Sequence, residues 1–297
     1  MERILITGAS GLLGSSLLPA MRAAGWDVTG QGRKAGTHAN YWQGGLDSRQ
    51  AVHAMLDALQ PQAVINLAAL TNVDLCEEQP QQAYDLNVRL VQDLASWLAP
   101  RDGYLVHISS DQVYDGSVLG AAESGSTEAQ LFLQNTYAFS KVASELAAQA
   151  CHSACLRSNF YGKSACPGRP SFSDWIINSL RQGQQIKVFQ DVWFSPLSIA
   201  SLCRLIPQVL QARLCGVYNL GSREGMSKAD FAFALAQAAG LPTEGLQRSD
   251  SAQAALRAKR PRDMRMDCGK LEQDLQQAMP RLADEITQCG REYRATP

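Results

Sequence analysis

The sequence predicts an α/β protein with a doubly wound parallel sheet of the Rossmann type and a smaller, mixed α/β region toward the C-terminus. Over the first 160 residues, short apolar runs alternate with amphipathic segments of helical length. A glycine-rich loop follows the first of these runs, and the alternation loosens later without a low-complexity linker. Strict alternation of strand and helix is typical of a parallel sheet covered by helices.

The elements of this sheet follow from two periodicities. Short apolar runs predict strands, whereas apolar residues spaced three or four apart predict helices. The predicted strands are Arg3–Thr7, Asp27–Gly30, Ala63–Ala68, Tyr104–Ser109 and Ala154–Arg157, and the predicted helices between them lie near residues 13–24, 52–59 and 83–97. We expect residues 1–160 to form a dinucleotide-binding domain.

The second part of the chain carries a different pattern. Helices are predicted near residues 173–181, 199–211, 228–239, 270–277 and 281–294, and strands near residues 185–189 and 217–220. We expect residues 161–297 to form mainly a substrate-binding region. The strands at about 186–220 are expected to return partly to the first domain.

Composition excludes several classes of protein. Charged residues make up 19% of the chain and the net charge is −1, which gives no positive field for nucleic acid. Eighteen consecutive apolar residues occur nowhere, so we expect no membrane span. Met1–Arg3 leads directly into a strand without a signal-like segment, and we expect a cytoplasmic protein. The eight cysteines form no CxxC pair and the four histidines are dispersed, so no metal site is predicted.

The loop after the first strand has the form GxxGxxG and opens a helix. Glycines let the backbone turn tightly and approach a pyrophosphate, and the N-terminus of the helix offers free N–H groups to it. We therefore predict that the loop binds a dinucleotide; the alternative is a glycine-rich turn without a ligand. The predicted contacts are Gly8, Ser10, Gly11, Leu12, Leu13 and Gly14.

The end of the second strand indicates which dinucleotide binds. An NAD site usually has an acidic residue there, whereas this chain has Arg33 and Lys34 after Gly32. Two cations favour the 2′-phosphate of NADP(H), and NAD(H) remains open. Asp47 is placed either to bind the adenine amino group or to cap the next helix.

Two further motifs predict the chemistry. Ser110 lies at the end of a strand beside the predicted nicotinamide site, and Tyr137 and Lys141 are spaced i, i+4 on a later helix. The lysine ammonium can favour release of the phenol proton and can also reach the nicotinamide ribose. The serine hydroxyl can hold a substrate oxygen while the tyrosine supplies a proton to it.

Taken together, these motifs resemble those of the extended short-chain dehydrogenase/reductases, and within them the dTDP-4-dehydrorhamnose reductase-like group. The resemblance covers nearly the whole chain. It includes Gly8–Gly14, Asn66–Asp74 with Asn87, Ser109–Gly116, Tyr137–Lys141, Arg157–Gly162 and Arg260–Asp263.

This resemblance implies NADPH-dependent reduction of a 4-keto-deoxysugar nucleotide, with Tyr137 as proton donor. It also implies cofactor contacts from Ala68, Ala69, Tyr137 and Lys141, and substrate contacts from Thr71, Asp111, Gln112, Asn159 and Arg260. Gln112 departs from the group, which usually has an aromatic residue there. A metal-linked dimer found in some members is not implied, because Ser15 replaces a glutamate, but a homodimer stays open.

Arg260 belongs to a group of five cations within nine residues, which could also be no more than a solvated basic face. Two alternatives to the reductase remain. One is a sugar-nucleotide epimerase or dehydratase of the same fold, although a dehydratase normally has an acid where this chain has Gln112. The other is a non-catalytic, dinucleotide-binding regulatory subunit resembling that of methionine adenosyltransferase.

Overall fold

A computed structural model describes residues 2–33, 40–119, 125–254 and 256–295. The chain forms two compact units: the first comprises Met1–Ser110, Gln134–Arg157 and Cys203–Tyr218, and the second Asp111–Leu133, Ser158–Leu202 and Asn219–Pro297. This division differs from a single boundary at residue 160, because residues 111–133 belong to the second unit and residues 203–218 to the first. The separate functions of the two parts stay predictions.

Strands and helices are numbered in the order in which they occur along the chain. The strands are β1 (Arg3–Thr7), β2 (Asp27–Gly32), β3 (Tyr41–Gln43), β4 (Ala63–Asn66), β5 (Tyr104–Ile108), β6 (His152–Ser158), β7 (Phe160–Tyr161), β8 (Ile186–Phe189), β9 (Trp193–Phe194), β10 (Leu197–Ser198), β11 (Gly216–Leu220), β12 (Met226–Ser227), β13 (Leu246–Ser249) and β14 (Asp263–Met264). The α-helices are α1 (Gly14–Ala23), α2 (Arg49–Leu59), α3 (Val73–Glu78), α4 (Pro80–Ala83), α5 (Leu90–Leu98), α6 (Gly116–Leu119), α7 (Thr136–Ala148), α8 (Phe172–Arg181), α9 (Ile199–Ala212), α10 (Lys228–Ala238), α11 (Gly269–Leu275) and α12 (Leu282–Arg294).

A seven-stranded sheet with the order β3-β2-β1-β4-β5-β6-β11 forms the centre of the first unit. Within this order the pairs β3-β2, β2-β1, β1-β4, β4-β5 and β5-β6 are all parallel. The order reverses direction next to β1, and ligands of such sheets bind at the carboxyl ends of the strands near this point. The predicted fold class is confirmed.

The core of the first unit lies between this sheet and the helices α2 and α5. Strands β1, β4 and β5 are almost wholly buried, because each carries a continuous apolar run. The core cluster includes Leu5, Val64 and Leu105 from these strands and Val52, Leu56, Leu90 and Leu94 from the two helices. The i, i+4 spacing places each helical pair on one face.

The second unit has its own core beneath α8, α10 and α12. Its strands are short and form small sheets, with the orders β12-β9-β14, β13-β8 and β10-β7. Four aromatic rings lie near the centre, and Phe231 contacts the rings of Tyr161, Phe172 and Phe194. Across the described ranges, no helix is both long and apolar enough to span a bilayer.

Candidate active site

The glycine-rich loop of the first unit has a backbone that only glycine allows at two positions. Gly8 has a φ of 66°, and a Cβ added there would lie 2.8 Å from the backbone nitrogen of Ala68. A Cβ on Gly14 would lie 2.5 Å from the carbonyl oxygen of Gly8 and 2.6 Å from Cα of Ala9. The loop therefore packs tightly against the first turn of α1 and against Ala68. Such a backbone is suited to approach a pyrophosphate.

Hydrogen bonds to Gln31, near the end of β2, hold this loop in place. The Gln31 side chain accepts a hydrogen bond from the Gly8 N–H at 3.1 Å and donates to the Gly44 carbonyl at 2.7 Å. The Ala9 N–H also donates to the Gln31 carbonyl, at 2.8 Å. Arg33 follows the strand and is exposed. Lys34, the second predicted cation, lies outside the described residues.

Three other predicted cofactor contacts follow the strands β4 and β3. Ala68 and Ala69 follow β4 and are half-buried. Asp47 is exposed, and its carbonyl accepts a hydrogen bond from the Arg89 guanidinium at 2.9 Å. The capping alternative for Asp47 is wrong, because Ser48 caps α2 by accepting from the Ala51 N–H at 3.2 Å.

The three predicted catalytic side chains are all buried in the first unit. Ser110 is 5% exposed, Tyr137 is 7% exposed and Lys141 is 1% exposed. The Lys141 ammonium donates to the Ile108 carbonyl at 2.8 Å, which fixes it at the carboxyl end of β5, two residues before Ser110. Tyr137 lies one turn earlier on α7. Asn135 starts this helix by accepting from the Ala138 N–H at 2.8 Å.

A buried histidine that sequence reasoning did not single out contacts Lys141. His107 Nε2 lies 3.3 Å from Lys141 Nζ and 2.9 Å from the Ser144 hydroxyl, and its Nδ1 lies 3.0 Å from the Asn66 amide. Burial and the charge of Lys141 lower the pKa of His107 well below its ordinary value. Burial also lowers the pKa of Lys141 to about 8, although the charge of Glu145 acts in the opposite direction.

A buried ion pair supports the strand end that carries Ser110. The Arg157 guanidinium donates to both carboxylate oxygens of Glu145, at 2.9 and 2.5 Å, and both side chains are 3% exposed. The Ser109 hydroxyl donates to the same carboxylate at 2.5 Å. The residue before Ser110 is therefore held to α7 by a charge-assisted hydrogen bond.

Asn87, which belongs to the family resemblance, contacts both the segment after β4 and helix α7. Asn87 lies in a π-helical segment, Tyr84–Arg89, between α4 and α5. Its amide accepts from the Leu70 N–H at 2.7 Å and donates to the Leu70 carbonyl at 3.1 Å and to the Ser140 hydroxyl at 2.8 Å. Single π-helical turns are frequent at functional sites. In this protein the turn connects the segment after β4 to helix α7, which carries Tyr137 and Lys141.

Among the predicted substrate contacts, Thr71 lies in the first unit and is exposed. In the second unit, Asp111 is 1% exposed and accepts from the Asn159 amide at 2.7 Å. Gln112 is half-buried, and its amide lies 2.8 Å from the Met264 sulfur. Asp111 and Asn159, which are both predicted substrate contacts, are therefore hydrogen-bonded to each other. The Gln112 amide instead contacts the thioether sulfur of Met264.

Arg260 is half-buried and lies near a lysine that sequence reasoning missed. Lys228, the first residue of α10, lies over the rings of Phe172 and Phe194, 5.7 and 5.9 Å from their centroids. Burial lowers the pKa of Lys228, the charge of Asp111 opposes this change and the charge of Arg260 adds to it. These three charged groups therefore lie within electrostatic range of one another inside the second unit.

The other cations near Arg260 differ in their surroundings. Arg257, Lys259 and Arg262 are exposed. The Arg265 guanidinium forms two hydrogen bonds to the Asp263 carboxylate, at 2.9 and 2.6 Å. A phosphate contact from Arg260 stays a prediction.

Comparison with known proteins adds to this geometry. The family described as the RmlD substrate binding domain matches residues 1–295. The chain belongs to this family. The family resemblance predicted from the motifs is thereby confirmed.

Proteins similar to this chain are described by different functions. A probable low-salt glycan biosynthesis reductase, Agl14 of Haloferax volcanii, is 28% identical over 95% of both chains. The methionine adenosyltransferase 2 subunit beta of Pongo abelii is 30% identical over 91% of this chain and 82% of its own. The fold is shared with dTDP-4-dehydrorhamnose reductase from Bacillus anthracis in complex with NADP, at a TM-score of 0.86, 24% identity and coverage of 98% and 99%.

The residues that sequence reasoning missed in this RmlD-family chain are His107, Lys228 and the Asn66 amide in its contact with His107. His107 and Asn66 lie in predicted strands and Lys228 begins a predicted helix, and at each position the sequence indicated the element and not the contact of the side chain. The strand register that brings Asn66 opposite His107 was the signal that could have found the pair. Among the described residues, no three or more His, Cys, Asp or Glu side chains are grouped so as to hold a metal ion.

Proposed function

We propose that this protein is an NADP(H)-dependent reductase that acts on the 4-keto group of a deoxysugar attached to a nucleoside diphosphate. The observation that carries the proposal is the position of Lys141. Its ammonium is buried at the carboxyl end of β5, where it donates a hydrogen bond to the carbonyl of Ile108, two residues before Ser110, and Tyr137 precedes Lys141 by one turn of α7. A phenol whose anion a nearby ammonium stabilises is suited to protonate a carbonyl oxygen.

The loop between Gly8 and Gly14 suits a dinucleotide, because both glycines let the backbone turn and pack closely where any Cβ would collide with neighbouring backbone atoms. NADPH would supply the hydride when bound there. Arg33 is exposed at the end of β2 and is the described cation placed for the 2′-phosphate, which favours NADP(H) and leaves NAD(H) open. The Arg33→Ala variant should weaken NADPH far more than NADH in a paired fluorescence titration. Equal weakening would mean that dinucleotide choice lies elsewhere.

The chain's own residues would divide the remaining work. Tyr137 would give its phenol proton to the substrate oxygen as the carbonyl is reduced, and Ser110 would hold that oxygen by a hydrogen bond. Lys141 would stabilise the phenolate left on Tyr137 until solvent returns the proton. The bonds from Asn87 and Glu145 to α7 and to Ser109 would keep these groups in place.

The substrate would contact Thr71, Asp111, Gln112, Asn159 and Arg260. The Asp111–Asn159 pair offers hydrogen-bond partners for sugar hydroxyls. Arg260, next to Lys228, offers a cation for the diphosphate. A cytoplasmic location and a homodimer belong to the same proposal, and sedimentation analysis would test the latter.

The decisive experiment measures loss of NADPH absorbance when the protein is mixed with a panel of nucleotide-linked 4-keto sugars. Turnover should appear with at least one of them, and Tyr137→Phe should lower the rate about a hundredfold or more. Tyr84→Phe is the matched control, because this tyrosine is 45% exposed and should leave the rate unchanged. Turnover by Tyr137→Phe within severalfold of the wild-type rate would refute the assignment.

Two other functions give different results in this experiment. An epimerase would convert its substrate without net consumption of NADPH. A regulatory subunit is favoured by the 30% identity to methionine adenosyltransferase 2 subunit beta. It would consume no NADPH and would instead change the kinetics of an added methionine adenosyltransferase. The intact set of Ser110, Tyr137 and Lys141 supports the reductase.

A further inference from the structure

The hydroxyl of Tyr41 is a buried polar group that none of the roles above uses. Tyr41 begins β3 and lies opposite Gly30 of β2 in the parallel register. Its Oη is buried, and no hydrogen-bond partner for it lies among the described residues. Buried hydroxyls of this kind are rare in folded proteins, and each calls for an explanation such as a ligand.

The position of this hydroxyl indicates the ligand. A Cβ added to Gly32, the last residue of β2, would lie 2.0 Å from the Tyr41 Oη and 2.9 Å from the Ser10 Oγ. The end of β2 is where dinucleotide sites place the side chain that binds the adenosine ribose. In this chain the side-chain space at that point is taken by a tyrosine hydroxyl that reaches across from β3.

The neighbouring groups belong to the dinucleotide loop. A Cβ added to Gly30 would lie 3.0 Å from the Tyr41 ring and 3.1 Å from the Ala9 Cβ. The ring therefore packs on β2 directly beside the loop. An acid at position 32 would collide with Tyr41, so glycine at this point and tyrosine at position 41 fit together as a pair.

We propose that the Tyr41 hydroxyl binds the adenosine ribose of the dinucleotide by donating a hydrogen bond to the 2′-phosphate, next to Ser10. This inference rests on the proposed function, because it assumes that the loop binds NADP(H). A phenol is a neutral donor with one proton. It therefore suits a phosphate oxygen and, unlike a carboxylate, does not repel the phosphate charge.

The test compares dissociation constants for NADPH and NADH by fluorescence titration in the wild type and in Tyr41→Phe, which keeps the ring and removes the hydroxyl. NADPH should bind about tenfold or more weakly in Tyr41→Phe, the effect of one hydrogen bond to a charged group. NADH should change by less than about threefold. Tyr84→Phe is the control and should bind both as the wild type does.

A second measurement separates ligand binding from a structural role. Without dinucleotide, Tyr41→Phe should melt at the same temperature as the wild type or higher, because it removes a buried hydroxyl without a described partner. Saturating NADPH should then stabilise the wild type more than the variant. A lower melting temperature of the unliganded variant would make the hydroxyl structural and overturn the proposal.

The outcomes distinguish this inference from the proposed function. Suppose first that the wild type binds NADPH. If Tyr41→Phe then binds both dinucleotides as the wild type does, or if its affinity for both falls equally, only the role of Tyr41 is refuted. If the wild type binds no dinucleotide, both proposals fall.

Discussion

Lys141 is a lysine whose burial disfavours its charged form. Replacing it by an uncharged residue tests how much this burial costs. The side chain is 1% exposed, and burial lowers its pKa from the ordinary 10.5 to about 8. In Lys141→Met the side chain keeps a similar length but cannot carry a proton. We expect the variant to lose turnover and, below about pH 8, to be relieved of a charge that destabilises the folded state.

The size of this effect follows from the two pKa values of Lys141. Between about pH 8 and pH 10.5 the lysine is mostly protonated in the unfolded chain and mostly neutral in the folded chain. Stability due to this group therefore rises with pH across that window. Burial of Lys141 costs about 3 kcal/mol at pH 7, where the folded lysine is still charged, and about 1 kcal/mol at pH 9.5, where it has lost its proton, at about 1.4 kcal/mol per tenfold change in proton affinity. Between these pH values the wild type should gain about 2 kcal/mol relative to Lys141→Met.

Urea denaturation of both proteins at about pH 7, 8.5 and 9.5 measures this difference. Other groups titrate in the same range, and subtraction of the variant removes their contribution. Lys187→Met, which removes an exposed lysine of β8, is the control for the loss of a lysine. A Lys141→Met difference that does not change with pH would refute the reasoning, since it would mean that the folded protein does not resist protonation of Lys141.

Three further predictions concern the loop, the buried ion pair and the substrate side. Gly14→Ala should destabilise the loop by about 1–3 kcal/mol and weaken NADPH binding, because the new Cβ meets backbone at 2.5 Å. Gly116→Ala is the control and should bind NADPH as the wild type does, because its Cβ makes only contacts of 3.4 Å. Equal NADPH affinities of the two variants would contradict this prediction. Arg157→Ala should lower the free energy of unfolding by about 3–5 kcal/mol in urea, because it leaves the Glu145 carboxylate buried and unpaired, and Arg157→Met with Glu145→Leu should recover most of the loss. A loss below about 1 kcal/mol would show that water reaches the carboxylate. Arg260→Ala should raise the KM for a nucleotide-linked substrate without changing NADPH affinity, and an equal penalty for a free keto-sugar would assign Arg260 to structure.

The sheet of the first unit could be predicted from sequence because its information is local. β1, β4 and β5 are short apolar runs between helices of clear periodicity, and parallel pairing follows from that order. β9 and β14 were not predicted, because two-residue strands carry no alternation. The π-helical segment Tyr84–Arg89 was also missed, since a single wider turn hardly changes the spacing of apolar residues.

The candidate site likewise contains residues that could be predicted from the sequence and residues that could not. Ser110, Tyr137 and Lys141 could be named in advance, because their order along the chain has a chemical meaning. The buried groups near Lys141 and near the dinucleotide loop could not. His107 contacts Asn66, 41 residues earlier in the chain, and Tyr41 approaches Gly32 on the neighbouring strand. Both contacts depend on strand pairing, which no local pattern encodes.

The polar row beneath Lys141 shows how a parallel sheet positions a buried cation. Register places Thr7 beside Asn66 and Asn66 beside His107, so three polar side chains line up across β1, β4 and β5. The Thr7 hydroxyl donates to the Asn66 amide oxygen at 2.5 Å, and the row continues through His107 to Ser144 and Lys141. Each member has a partner, so the row avoids the cost of unsatisfied buried groups. Because parallel sheets bind their ligands at the carboxyl ends of their strands, the row that fixes Lys141 lies at the edge where a ligand is expected.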